Sequence, residues 1–220
     1  MTRLLFALLL VLVPHATARG AGGATVRFLA ERVPADLGQV VLATEETRGE
    51  AFDLPVNHLS APLAAPDRAF KVQSVAKNVP LASVTLPEKG DDFIVLLIPS
   101  ASGGYQSVVM AAKDPKFKVG DVYFHNHSDK RVLGYVGTAK FTLEPAKGTV
   151  LRPAGAKENT YYDVGFGFHD GEKGNRVLSK TRWPIDKNIR SYVFFFVNPS
   201  TKKIDFRAVD EFVAPDPEKP

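Results

Sequence analysis

The segment His125-Asn126-His127 is the part of this 220-residue chain whose residue types and spacing best suit chemistry. In an extended strand, residues i and i+2 point the same way, so the two imidazoles share a face with Tyr123. Such a pair offers two nitrogen ligands to zinc or copper, and His169 or His58 would supply a third. The structural alternative is two histidines at a strand end, just before the turn Ser128-Asp129-Lys130. The letters His-Asn-His also match a nuclease motif, but that motif needs a ββα metal fold, and no helical pattern follows here. Aromatic stacking is the second chemical option. Trp183, the only tryptophan, precedes Pro184 and with Tyr161, Tyr162, Tyr192 and Tyr105 offers ring faces for a sugar, Trp183 and Tyr161 being the residues assigned to binding; the alternative is that these rings pack in the core.

Other reactive arrangements are missing from the sequence. There is no cysteine, which excludes disulfides, thiol nucleophiles, zinc ribbons and cysteine-ligated iron–sulfur or blue-copper sites. No Gly-x-Ser-x-Gly elbow and no Gly-x-x-x-x-Gly-Lys phosphate loop occurs, and Gly165-Phe166-Gly167 lies inside a strand pattern. The acid pairs Glu45-Glu46 and Asp91-Asp92 flank strands at turns. No catalytic residue is assigned on this basis. With 28 Lys+Arg against 24 Asp+Glu, the net charge of +4 is too mild to mark a nucleic-acid binder.

The elements that must position these residues are strands. Short apolar or alternating runs are separated by Gly, Pro, Asn, Asp and Ser, with 16 prolines and 17 glycines as punctuation. Strands are predicted near 25–30, 39–44, 51–54, 70–74, 82–86, 92–98 and 107–111. A second set is predicted near 121–125, 131–136, 140–143, 149–152, 161–168, 176–181, 191–197 and 204–209. In Tyr162–Phe168 the apolar side chains fall on one face and Asp163, Gly165 and Gly167 on the other, inviting a close approach over the glycines. The run Tyr192–Val197 is apolar throughout, as expected of a central strand covered on both faces.

Three landmarks recur in order. Phe93–Ser100 and Tyr192–Ser200 are each an apolar strand with a Pro-Ser break and a return strand, 99 positions apart by their first residues (192 minus 93). Val26-Arg27-Phe28 parallels Val122-Tyr123-Phe124, and Phe52–Pro55 parallels Phe141–Pro145. The predicted fold is therefore all-β, with two tandem, packed, immunoglobulin-like β-sandwich domains at 24–112 and 116–213. The rival arrangement is one continuous sandwich.

The N-terminus reads as an export signal at 1–18: Arg3, an apolar stretch from Leu4 to Val13, then Ala16-Thr17-Ala18 as a cleavage site, with Ala21 or Ala24 as alternatives. The apolar stretch is about half the roughly 20 residues a spanning helix needs, and no later run approaches that length, so no transmembrane segment is expected after its removal. The Pro-rich, charged segment 214–220 is expected to be a disordered tail. Export without cysteine points to a bacterial periplasmic or extracellular protein.

The run Phe117–Asn126 resembles the stretch by which cupredoxin-like domains enter a core strand, with Gly120-Asp121 at the turn and Asn126 at the end. The whole layout, with Asn126–Val132, Gly137, Phe141, Leu143, Pro145 and Gly148, resembles the periplasmic accessory protein of alginate O-acetylation. The resemblance implies tandem β-domains and an accessory role in the envelope, and it transfers no functional residue. The expected function is a non-enzymatic envelope or periplasmic binding or accessory protein, whose partner is an envelope protein or a polysaccharide. The alternative is a zinc- or copper-dependent protein using His125 and His127. The oligomeric state is not specified by the sequence.

Overall fold

The computed structural model describes residues 23–100, 102–198 and 200–213; the expected signal peptide and tail lie outside the described residues. The first half contributes β1 (Thr25–Ala30), β2 (Val40–Ala43), β3 (Leu63–Ala64), β4 (Ala69–Ser74), β5 (Pro80–Thr85), β6 (Asp92–Pro99) and β7 (Tyr105–Ala111). The second contributes β8 (Val122–Asn126), β9 (Val132–Val136), β10 (Ala139–Leu143), β11 (Gly148–Leu151) and β12 (Tyr161–His169). It ends with β13 (Asn175–Pro184), β14 (Ile189–Val197) and β15 (Ile204–Phe212). Fourteen of these strands coincide with the predicted runs to within a few residues. The short β3 was not foreseen. The run 51–54 forms only a bridge from Phe52 to Val40, because its Pro55 ends the ladder at once.

Each half is a pair of facing sheets. The first has β3-β1-β6-β7 against β2-β4-β5, and the second has β11-β8-β14-β15 against β10-β9-β12-β13. The two halves share one strand order: the opening strand lies between a short edge strand and the penultimate strand, and runs parallel to the latter. The immunoglobulin order instead places the first strand beside the second, so the likeness holds for the packed two-sheet architecture and not for strand order. The bridging Phe52 sits beside β2 as β10 sits beside β9, which makes the third sequence landmark topologically sound.

Register corrects the first landmark. Val26 is opposite Phe93 in β1·β6, and Val122 is opposite Ser191 in β8·β14. Phe93 therefore corresponds to Ser191, an offset of 98 (191 minus 93), and not to Tyr192. A one-residue slip exchanges the two faces of a strand. Phe93 points into the first sandwich, whereas Tyr192 points out of the second.

Three apolar layers result. Val26, Phe28, Val72, Phe93 and Val95 fill the first sandwich. Phe124, Phe141, Phe166 and Phe195 fill the second, with Phe124 stacked on Phe141 at 4.2 Å between ring centroids. Between the sandwiches, Leu29, Ile94, Leu96 and Ile98 of the first meet Tyr123, Tyr192, Phe194 and Val209 of the second. That middle layer explains the uninterrupted apolar sequences of β6 and β14: both strands are covered on both faces. Burying each such side chain contributes roughly 1.5–3 kcal/mol. The expected close approach over β12 is the Tyr135 ring, which lies across Gly165.

Charged side chains fix one end of this middle layer. Arg190 donates to Glu211 through Nε (2.5 Å) and Nη2 (3.0 Å), and its Nη1 donates to the Ala112 carbonyl (2.7 Å) in the connection between halves. Tyr192 and Arg27 also donate to Glu211, at 2.6 and 3.0 Å. Burial alone would push the Glu211 carboxyl up, but the hydrogen bonds from Arg190 and Tyr192 outweigh it and hold the carboxyl below its ordinary range.

Candidate functional site

The turn into β8 is built as its sequence implies. Gly120 adopts a φ of +84°, and the Asp121 carboxylate accepts the Lys118 N–H at 2.7 Å. At the other end, buried Asn126 donates to the carbonyls of Lys130 (2.8 Å) and Leu143 (3.1 Å) and accepts from the Ser128 N–H and hydroxyl. Asn126 thus pins the chain reversal that follows the strand.

Between these ends, His125 shares a face with Tyr123, as the strand period requires, but that face is turned into the layer between the sandwiches. His125 is buried, stacked beside Tyr123 with Nδ1 3.4 Å from the phenol oxygen. Burial, reinforced by the neighbouring His127, lowers its pKa to about 4, so the ring is neutral at neutral pH. Burial pushes the Tyr123 phenol up to about 12. His127 is half-buried, and burial together with Arg32 of the first half lowers it as well. His169 is exposed at the end of β12, beside Asn175, and His58 is exposed in the loop before β3. Among the described residues no three His, Cys, Asp or Glu side chains converge as a metal site. Neutral imidazoles are suitable ligands, and the structure brings no third such donor to His125 and His127 among the described residues.

The aromatic candidates separate as well. Tyr162 is opposite Trp183 in the β12·β13 ladder and Tyr161 opposite Pro184. Trp183 and Tyr162 therefore share the inner face of the sheet, while Tyr161 points outward and carries Arg182 over its ring at 4.8 Å. Of the aromatic candidates, Trp183 therefore shares its face with Tyr162 and not with Tyr161, because adjacent residues of a strand face opposite ways.

That inner pair opens onto a cavity of about 600 Å³ at one end of the second sandwich. Its apolar wall is formed by Val122, Val136, Tyr162, Trp183 and Pro184, and Trp183 rests edge-on against Phe166 of the core. Its polar side carries Asp121, Arg152, Lys187, Ser191 and Asp210. Ser191 donates to Asp210 at 2.6 Å, and Arg152 Nε lies 2.5 Å from Asp121 as an ion pair without hydrogen-bond alignment.

In the first sandwich the corresponding inward positions are filled: Phe70 and Val84, the cross-strand pair that matches Tyr162 and Trp183, are buried together with Phe93, and a hollow of about 460 Å³ at the same end is lined by β2, β4 and β5 without β1, β6 or β7. There β5 runs against β7, and the Ser107 hydroxyl donates to the Ser83 carbonyl at 2.8 Å. The equivalent strands β13 and β15 lack a comparable run of contacts. Phe93 and Val109, which pack inside the first half, correspond by register to Ser191 and Ala208. Two small side chains in place of two large ones leave the second sandwich open, so the cavity is a difference between two copies of one topology. Sequence reasoning named Trp183 and Tyr162 among the aromatic candidates and missed Asp121, Ser191 and Asp210. The signal was the repeat itself, hidden by the one-residue error in its alignment.

No protein-family model matches the chain, and no curated protein matches it.

Proposed function

We propose that this chain is an exported, non-enzymatic binding or accessory protein of the bacterial cell envelope and that the hollow end of its second sandwich is the binding site. The observation that supports the reading is the contrast between the closed first sandwich and the open second one, with Trp183 and Tyr162 in the opening. Small-molecule sites are commonly concave, apolar-walled and of roughly 300–1,000 Å³, with a few polar groups that orient the ligand. The signal-like N-terminus supports the address, and the resemblance to an accessory protein of alginate O-acetylation supports a role beside envelope polymers.

The test is expression of the full chain in a Gram-negative host, followed by N-terminal sequencing of the periplasmic fraction and a ligand screen on the purified product. The expected product begins at Arg19, after cleavage at Ala18, and its single tryptophan responds to envelope polysaccharide fragments. A chain that stays cytoplasmic with Met1 intact overturns the address. A Trp183 emission indifferent to every fragment overturns the binding role.

A further inference from the structure

From the chemistry of its lining, we infer that the hollow takes a short neutral saccharide; this rests on the hollow being a binding site and adds the ligand class. Three observations lead there. First, Trp183 and Tyr162 are cross-strand partners on one wall, and the indole is only partly buried. A flat π-face beside proline suits the apolar C–H face of a pyranose ring. Second, the opposite side offers both donors and acceptors. Ser191 and Asp210 are already hydrogen-bonded to each other, which holds the carboxylate in a fixed orientation for a ligand hydroxyl. Asp121 is buried beneath the rim, one carboxylate oxygen accepting from the Lys118 N–H and the other ion-paired with Arg152, which holds the Arg152 guanidinium at the edge of the hollow. A polyhydroxylated ring supplies donors and acceptors together, as such a rim requires.

Third, the charges exclude an acidic ligand. Asp121, Asp186 and Asp210 line the hollow against Arg152 and Lys187, and Arg152 is paired with Asp121. One lysine remains to face two further carboxylates. A uronate or phosphorylated sugar would bring another negative charge to a surplus of its own sign, which is destabilising in a partly desolvated site. A purely apolar ligand would displace water from Asp210 and Lys187 and supply no hydrogen bond in its place. A neutral sugar satisfies both walls.

The experiment titrates the purified chain with maltotriose, cellotriose and mannotriose, with a trimeric uronate, and with the neutral apolar dye N-phenyl-1-naphthylamine. Trp183 emission and calorimetry are the readouts. Saturable binding of at least one neutral trisaccharide, at least tenfold tighter than the uronate, is expected. Ser191→Phe restores the bulky side chain of the closed half and should weaken that binding at least tenfold. Ala208→Val is the second filling variant should Ser191→Phe fail to fold, with Tm and far-ultraviolet circular dichroism as folding checks. Asp210→Asn should weaken binding several-fold without changing Tm appreciably. Tighter binding of the uronate, or binding of the dye with no sugar able to displace it, overturns the ligand class and leaves the hollow a binding site. Binding of none of these probes overturns both. Sugar binding unaffected by either filling variant places the site elsewhere and overturns the inference.

Discussion

Acid should unfold this protein through His125. The imidazole is buried between the sandwiches with its pKa lowered to about 4 from an ordinary value of 6.5, while the unfolded chain leaves it free to protonate near 6.5. Between those values the unfolded state binds more protons than the folded state, so stability rises with pH and is lost as pH falls below about 6.5. Linkage over that shift gives a loss of about 2 kcal/mol at pH 5 relative to pH 7.5, approaching about 3 kcal/mol near pH 4. For a chain of this size, 2 kcal/mol lowers Tm by roughly 4–8 °C. Glu31, buried at the end of β1, acts in the opposite sense: burial raises its pKa, so protonation on acidification relieves an unfavourable charge. Glu31 is common to wild type and variant and cancels in the comparison. The assay is urea unfolding of wild type and His125→Phe at pH 7.5 and pH 5.0, followed by circular dichroism. The wild type should lose about 2 kcal/mol more than the variant on acidification. Equal losses in the two proteins would refute the assignment of a neutral, buried imidazole to this position.

Three further perturbations probe the framework. Glu211→Ala leaves Arg190 buried without its carboxylate and should cost about 3–5 kcal/mol by urea unfolding. Gly137→Ala places a side chain at a φ of +63°, where its Cβ overlaps the Ala154 carbonyl oxygen. It should lower stability by about 3 kcal/mol, read as a fall in the denaturation midpoint. Asn126→Ala removes the acceptor of Ser128 and the donor to two carbonyls, at a cost of about 3 kcal/mol. Amide exchange should quicken first around 126–131.

Strand positions were legible because each obeys a local rule. Alternation in Tyr162–Phe168 places Tyr162, Val164 and Phe166 on the inner face of the second sandwich, and the unbroken apolar run of β14 announces cover on both faces. The short β3 was invisible because two paired residues, Leu63 and Ala64, carry no period. The candidate site was only half legible. Trp183 stands out as the lone tryptophan and both Tyr161 and Tyr162 were candidates beside it, but the choice between them depends on ladder register, which places Tyr162 beside it and Tyr161 on the outer face. His125 and His127 were readable as a same-face pair. That the face is sealed against the first half depends on how two sheets pack, a contact between residues far apart in sequence. The same register dependence hid the hollow: aligned at 99 positions, Phe93 matches another large aromatic, and only the true offset of 98 matches it with serine.

That substitution has a thermodynamic consequence that separates a functional hollow from an accident of packing. In the first half Phe93 is fully buried and contributes to the core. Its counterpart Ser191 gives up that burial, and removing a large aromatic from a core commonly costs about 3–5 kcal/mol. The middle layer and the Arg190–Glu211 network supply stability that the second sandwich lacks at its open end, so the chain tolerates the vacancy. Returning a phenylalanine at position 191 should therefore raise stability by about 1–3 kcal/mol while weakening binding at least tenfold, the trade expected where function holds a site away from its most stable packing. The lost hydrogen bond to Asp210 offsets little of this gain, because Asp210 is exposed and water replaces the serine. Urea unfolding of Ser191→Phe, set beside its saccharide affinity, checks both quantities on one protein. A destabilised variant whose affinity is intact would show that the opening between β13 and β15 is shaped by backbone course, with no role for the small side chains at 191 and 208.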